Sequence, residues 1–204
     1  FGKELTLNGE WYYTDFRKQV VVDMDSDPHA VSFYNLDGCS YSNSFQVEAT
    51  YPFFRGFTLT AAYRYTDAKT DYRNAESVTR RLKKPLVSDY KGLLTVSYQT
   101  PLKKWQFDLT GQFNGGGRMP TPDAVNPLWK PDFKAYTIVN AQVTKYFRRW
   151  SIYVGAENIF DYKQPLPIID AGNPRGDNFD GSMVWGPVHG RKIYAGLRFN
   201  ISRD

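Results

Sequence analysis

Eight segments of this chain alternate apolar and polar residues with period two, and the connections between them are alternately short and long. Successive side chains of a strand point to opposite faces, so this alternation marks strands with one apolar and one polar face. The last segment is the clearest. Ile193, Ala195, Leu197, Phe199 and Ile201 fall on one face, and Lys192, Tyr194, Arg198 and Asn200 on the other. The pattern predicts an all-β chain, an antiparallel up-and-down meander of the kind that builds bilayer-spanning barrels.

The first segment, about Lys3 to Thr14, sets Leu5, Leu7, Gly9, Trp11 and Tyr13 against Thr6, Asn8, Glu10 and Tyr12, and is expected to continue through Val20 to Val22. Phe45 to Tyr51 returns after a polar stretch. A short turn at Pro52 to Gly56 leads into Phe57 to Tyr65, and a long polar segment, Thr66 to Asp89, follows. Leu94 to Tyr98 and Trp105 to Phe113 flank a tight turn. The next loop, about Asn114 to Lys134, holds three consecutive glycines and four prolines, which predicts no regular structure through it. Val139 to Thr144 and Ile152 to Ala156 flank the turn at Phe147 to Trp150, and a third long loop, about Asp161 to Gly190, precedes the final strand. Nothing marks a domain boundary, so residues 1–204 read as a single β unit.

Alternation alone does not say whether the apolar face meets lipid or a dry core. Two features favour lipid. Aromatics crowd the strand ends: Tyr51, Phe53, Phe54, Phe57, Tyr98, Trp105, Tyr146, Phe147, Trp150 and Tyr153 by the short turns, and Trp11, Tyr65, Phe113, Tyr136 and Phe160 towards the long loops, as in two interfacial girdles. The apolar faces also carry no charge, whereas the opposite faces hold Glu10, Glu48, Arg64, Asp108, Glu157, Lys192 and Arg198. Slipping the register by one residue would put those charges in lipid, at about 2 to 4 kcal/mol for each Arg or Lys near the midplane.

Composition agrees. A chain that is 41% hydrophobic and 17% aromatic is not disordered. The mean hydropathy of -0.55 does not argue against a barrel, because half of each barrel strand faces water. The net charge of +5 comes from scattered residues, so no nucleic-acid partner is implied. The one dense run, Arg80, Arg81, Lys83 and Lys84, reads as a solvated loop or as a contact for anionic headgroups or a ligand. Cys39 is single, a small residue near a strand start.

No catalytic constellation is present: His29 and His189 each lie in a loop, with no Ser or Cys nucleophile placed beside them, so no enzyme activity is expected. Asp23, Asp25 and Asp27 would put three carboxylates on one side of an extended segment, suited to a hard cation, although Pro28 excludes the EF-hand loop. A solvated acidic loop is the alternative. No cofactor is implied.

Three motifs carry a family resemblance: Tyr63-Arg64-Tyr65-Thr66-Asp67-Ala68, then Asn158-Ile159-Phe160-Asp161, then the closing Gly190-Arg191-Lys192-Ile193-Tyr194-Ala195-Gly196-Leu197-Arg198-Phe199. With their spacing, they resemble the C-terminal part of the barrel of TonB-dependent outer-membrane receptors. The resemblance implies about eight strands of a larger barrel of ~22, set in the bacterial outer membrane in contact with its lipid. It also implies an N-terminal plug and earlier strands lying outside this chain, and TonB acting through that plug. The parent would be an active transporter for a scarce ligand, a siderophore, cobalamin or glycan. Ser44 stands where many members place Gly, and Ser202-Arg203-Asp204 extend past the terminal aromatic.

If so, ligand contacts are expected from the long loops: Arg118, Trp129 and Asp132 in one, Asp177, Trp185 and His189 in the other, where aromatic platforms adjoin polar groups. Two alternatives stay open on the residues alone, a complete small barrel with a structural or adhesive role and a soluble β-sandwich that binds carbohydrate.

Overall fold

The computed structural model describes residues 4–25, 30–73, 79–120, 128 and 130–200. Asp27, His29, Trp129 and Ile201 lie outside them. The strands are β1 (Thr6–Phe16), β2 (Val20–Asp23), β3 (Ser32–Asn35), β4 (Ser40–Phe54), β5 (Phe57–Arg73), β6 (Thr79–Lys83), β7 (Tyr90–Gln99), β8 (Trp105–Asn114), β9 (Gly117–Arg118), β10 (Asp132–Phe133), β11 (Tyr136–Tyr146), β12 (Trp150–Glu157) and β13 (Lys192–Phe199). The main sheet runs β1-β4-β5-β7-β8-β11-β12-β13, every neighbour antiparallel, with β6 on the upper part of β5. β1 and β13 do not pair, so the sheet is open, part of a barrel wall rather than a closed ring.

The register holds the apolar residues on one face from edge to edge. Leu7 pairs with Ala49, Ala49 with Ala61, Ala61 with Leu94, Leu94 with Gly111, and Gly111 with Val139. Val143, Val154 and Ala195 continue that face on the last strands. Among the described residues nothing covers it: Leu7 is 62%, Leu109 51%, Val154 51% and Leu197 66% exposed. A sandwich would bury these residues against a second layer, and among the described residues the other sheets are the two-stranded β2-β3 and β9-β10 pairs. The buried apolar side chains among the described residues, Val21, Tyr72, Met119, Phe133, Ile169 and Met183, belong to the long-loop end.

Three expectations about strand and loop extents change. Lys18 takes a left-handed φ of 55°, which breaks the first segment, and Val20 to Val22 form β2, pairing with β3 instead of extending β1. The Thr66–Asp89 segment is largely hairpin. β5 runs on to Arg73 and pairs with β6, so Arg80, Arg81 and Lys83 are strand residues, and Arg81 chelates Asp71 with bonds of 2.8 and 3.1 Å. The glycine- and proline-rich loop contains the short β9-β10 pairing, which needs only two residues on each side.

The short-turn girdle is a run of touching rings, with Phe57–Tyr98 centroids 4.3 Å apart, Tyr98–Phe107 6.2 Å, Trp105–Phe107 6.3 Å and Phe147–Trp150 3.8 Å. Tyr146 and Tyr153 do not join it. Their parity turns them to the polar face, where Tyr146 Oη donates to Gln106 Oε1 at 2.9 Å. Lys145 has the opposite parity: it pairs with Trp105 and Ile152, and so stands on the apolar face at its short-turn edge.

On the polar face of the last hairpin two glycines and two tyrosines interlock. Tyr153 pairs with Gly196 and Tyr194 with Gly155, and each ring lies where a Cβ on the facing glycine would be. Tyr194 Oη then donates to Gln142 Oε1 at 3.0 Å, fixing the ring.

Candidate ligand-facing site

The polar face and the long loops form one region at the long-loop end. Met119, Phe133, Ile169 and Met183 make a small core with Leu86 and Trp185 against it, which joins the loops after β6, β8 and β12 into one cap. Gln164 ties the last loop together from its centre: Nε2 donates to Met183 O, and Oε1 accepts from Trp185 N and Gly186 N, at 2.7 to 2.9 Å. Its near-complete burial is tolerable because every polar atom is bonded.

A second strut crosses the cap. Arg118 grips Asp25 bidentately at 2.7 and 2.8 Å, donates from Nε to Lys83 O at 2.7 Å, and lies over the Tyr72 ring. Asp23 accepts from Tyr34 Oη at 2.8 Å and from Asp25 N at 2.7 Å. Tyr34 Oη in turn accepts from Arg73 N at 2.9 Å, and burial pushes that phenol up to about 12. Above the girdle residue Tyr65, in the part of β5 that outruns the membrane, the Arg81 guanidinium holds the Asp71 carboxyl below its ordinary range, helped by the Cys39 amide.

Below the cap the polar face presents a continuous row. Glu10 pairs with Gln46, Gln46 with Arg64, Arg64 with Lys91, Lys91 with Asn114, and Asn114 with Tyr136. Arg64 and Lys91 are exposed, and neither has an ion-pair partner among the described residues. A cavity of about 340 Å³ is lined by Gln46, Arg64, Lys91, Gln112 and Asn114. A second, of about 540 Å³, shares Gln112 and is lined by Asn140, Glu157, His189 and Lys192. Beside them Tyr136 stacks on Tyr162 at 5.2 Å, and Trp185 stacks on Phe133 at 5.0 Å and tilts against Tyr136 at 5.6 Å. Aromatic platforms over a polar, partly cationic wall suit a ligand that is flat in one part and polar in another.

The structure therefore separates the loop residues expected from sequence. Trp185 and His189 reach this region. Arg118 is committed to Asp25, and Asp132 pairs with it as the exposed partner in the β9-β10 hairpin. Asp177 is exposed in the last loop. Asp23 and Asp25 are engaged by protein donors, and among the described residues no group of three His, Cys, Asp or Glu is disposed to hold a metal ion.

The sequence profile of the family described as TonB dependent receptor-like, beta-barrel, matches residues 1–159. The chain belongs to that family.

Solved structures of other proteins extend the likeness over nearly the whole chain. A mutant ferric enterobactin receptor (PfeA) from Pseudomonas aeruginosa is 16% identical, with 95% of this chain and 28% of that one covered and a TM-score of 0.64. The copper transporter OprC is 16% identical over 98% and 29%, with a TM-score of 0.69. The FrpB iron transporter from Neisseria meningitidis is 10% identical over 97% and 29%, at 0.61. This chain thus spans under a third of the length of the receptors it resembles. No curated protein sequence matches it. The family comprises receptors and transporters rather than enzymes, and its barrels belong to the bacterial outer membrane.

Within this receptor barrel the Asn158-Ile159-Phe160-Asp161 motif acts as a corner. Asn158 adopts a left-handed φ of 52°, which asparagine tolerates better than most residues. Its side chain donates to Tyr162 O at 2.7 Å and accepts from Tyr162 N at 3.0 Å, while its own N–H donates to Asn140. Asp161 accepts from Arg191 N at 2.7 Å, which depresses its pKa and anchors the start of β13. Sequence reading missed Tyr136 and Tyr162 as platform residues. Tyr136 had looked like a girdle residue, yet it shares the parity of Asn140 and faces the lumen.

Proposed function

We propose that this chain is the closing portion of the wall of a TonB-dependent active transporter in the bacterial outer membrane, and that the parent takes up a scarce ligand of siderophore, cobalamin or glycan class. TonB would act through a plug outside this chain. The observation that carries the reading is the joining of a loop cap to a lumen-facing wall with two cavities that share Gln112. A capped vestibule above a polar lumen is what a transporter needs to hold a ligand before release inward, and an adhesin does not need the lumenal half of it.

Trp185 and His189 are the proposed ligand contacts of this segment, with Trp129 and Asp177 as further contacts from the loops, and Arg64 and Lys91 as the polar wall below. The test is titration of the full-length receptor with ferric siderophores, cobalamin and oligosaccharides, followed by uptake in cells with and without TonB. His189→Ala should weaken binding about tenfold, roughly 1.4 kcal/mol, without altering the folded fraction. Uptake that persists without TonB would refute active transport. Affinity unchanged in both His189→Ala and Trp185→Ala would remove this wall from the ligand site.

A further inference from the structure

The short-turn end of the sheet carries a charge distribution that ligand uptake does not use. Its three turns bring together Arg55, Lys103, Lys104, Lys145, Arg148 and Arg149, and residues 52–56, 100–105 and 145–150 contain no Asp or Glu. Leaving these six out, the chain's 26 basic residues fall to 20 against 21 acidic ones, so the net positive charge of the whole chain resides on this rim.

The rim is built, not merely populated. Tyr146 N donates to Lys104 O at 2.8 Å, which holds the β7-β8 and β11-β12 turns side by side. Phe147 N donates to Trp150 O at 2.8 Å, closing a tight turn with Arg148 and Arg149 at its tip. Asn200 N donates to Arg149 O at 2.9 Å and ties the end of β13 to the same place. Lys145, on the lipid-facing side, sets its Nζ 4.8 Å from the centre of the Trp105 ring and 5.2 Å from that of Phe147. A groove of about 920 Å³ opens between the first two turns, with Arg55, Leu102 and Lys103 among its lining residues.

A lysine on a lipid-facing surface that runs along aromatic rings at the interface delivers its ammonium to the depth of the headgroup phosphates. A lone snorkelling lysine would need no company. Here further cations on adjoining turns repel one another unless an anion lies among them, and the aromatic flank faces lipid rather than the lumen. We infer that this rim is a binding site for an anionic phospholipid headgroup of the periplasmic leaflet, the Lys145–Arg148–Arg149 turn being its centre.

This inference rests on the outer-membrane reading, in which short turns face the periplasm. The full-length receptor is reconstituted into phosphatidylethanolamine vesicles with and without phosphatidylglycerol. The preference for the anionic lipid is read from tryptophan quenching by brominated phosphatidylglycerol against brominated phosphatidylethanolamine. We expect a preference of about fivefold, the effect of one basic residue near a charged surface or more, falling with added salt. It should drop to near unity in the triple variant Lys145→Gln/Arg148→Gln/Arg149→Gln, and persist in Arg80→Gln/Lys84→Gln at the opposite end. Should the triple variant fail to fold, Arg148→Gln/Arg149→Gln at the exposed turn tip should still at least halve the preference. No preference in the wild type, or an unchanged one in these variants, overturns the inference. So does loss of co-sedimentation with cell-wall sacculi in variants whose lipid preference is intact, because the anion would then be a wall polymer. Failure of the wild type to insert into either vesicle would instead refute the barrel reading beneath it.

Discussion

The lipid-facing assignment of the apolar surface can be tested at Leu109. This residue lies on β8, four residues from Trp105 at the short-turn girdle and four from Phe113 at the other. At about 3.4 Å per residue and a tilt of about 40°, the distance between those two aromatics along the membrane normal is about 21 Å, close to the roughly 25 Å apolar band of such barrels. Leu109 is therefore within an ångström or two of the midplane by this estimate, where the cost of an arginine is largest. Leu109→Arg should lower unfolding stability by about 2 to 4 kcal/mol. Thr110→Arg, one residue on, points into the lumen, where Thr110 bonds Thr95 at 3.1 Å, and should cost about 1 kcal/mol, the value of one neutral hydrogen bond. The assay is urea unfolding of the receptor in phospholipid vesicles followed by tryptophan emission. Equal losses for the two variants, or a loss below about 1 kcal/mol at Leu109, would show that the apolar face does not meet hydrocarbon.

The Arg118–Asp25 pair has side-chain exposures of only 15% and 11%, so Arg118→Met or Asp25→Leu alone should destabilise the cap by about 3 to 5 kcal/mol and the double variant by much less. A double-mutant cycle on protease nicking of the loops measures this, and additive single effects would exclude the strut. Asp71, whose carboxyl is depressed by Arg81, contributes stability that is complete above the ordinary carboxylate value of 3.8 and lost as pH falls through its lower folded value. Protection of the Cys39 amide, measured against its intrinsic exchange rate, should therefore fall below pH 3.8, and a profile that matches that of Asp71→Asn would refute the linkage. Gly155→Val must evict the Tyr194 ring and cost about 1 to 3 kcal/mol by urea unfolding, with partial recovery in Gly155→Val/Tyr194→Ala. No recovery would mean that the ring is not what the valine meets.

How much was legible depended on whether the determinant was local. The eight strands and their faces could be read because lipid and lumen act on every second residue of each strand, as along Ile193 to Phe199. Parity also settles Tyr136, Tyr146 and Tyr153, which crowding at strand ends had suggested were girdle residues. The Arg81–Asp71 pair follows once β5 is allowed to outrun the membrane, since the hairpin register sets those residues opposite each other. The Arg118–Asp25 contact spans 93 residues and joins two segments that belong to no common hairpin. No spacing rule reaches that far. The sharing of Gln112 by two cavities is likewise a product of strand order rather than of any motif.

The paired glycines and tyrosines of the last hairpin bear on how such a wall finds its circumference. A barrel's girth follows from its strand number together with the shear accumulated around the ring, so every hairpin must align correctly for the final strand to meet the first. Lipid rejects a slip of one residue, because it turns polar side chains outward, but it is blind to a slip of two, which returns every side chain to its own face. Such a slip would set Tyr153 opposite Tyr194 or Arg198 in place of Gly196, leaving its ring nowhere to lie. The interlock thus discriminates against the even-numbered misalignments that polarity allows, at the hairpin whose outer strand is the open edge of this wall.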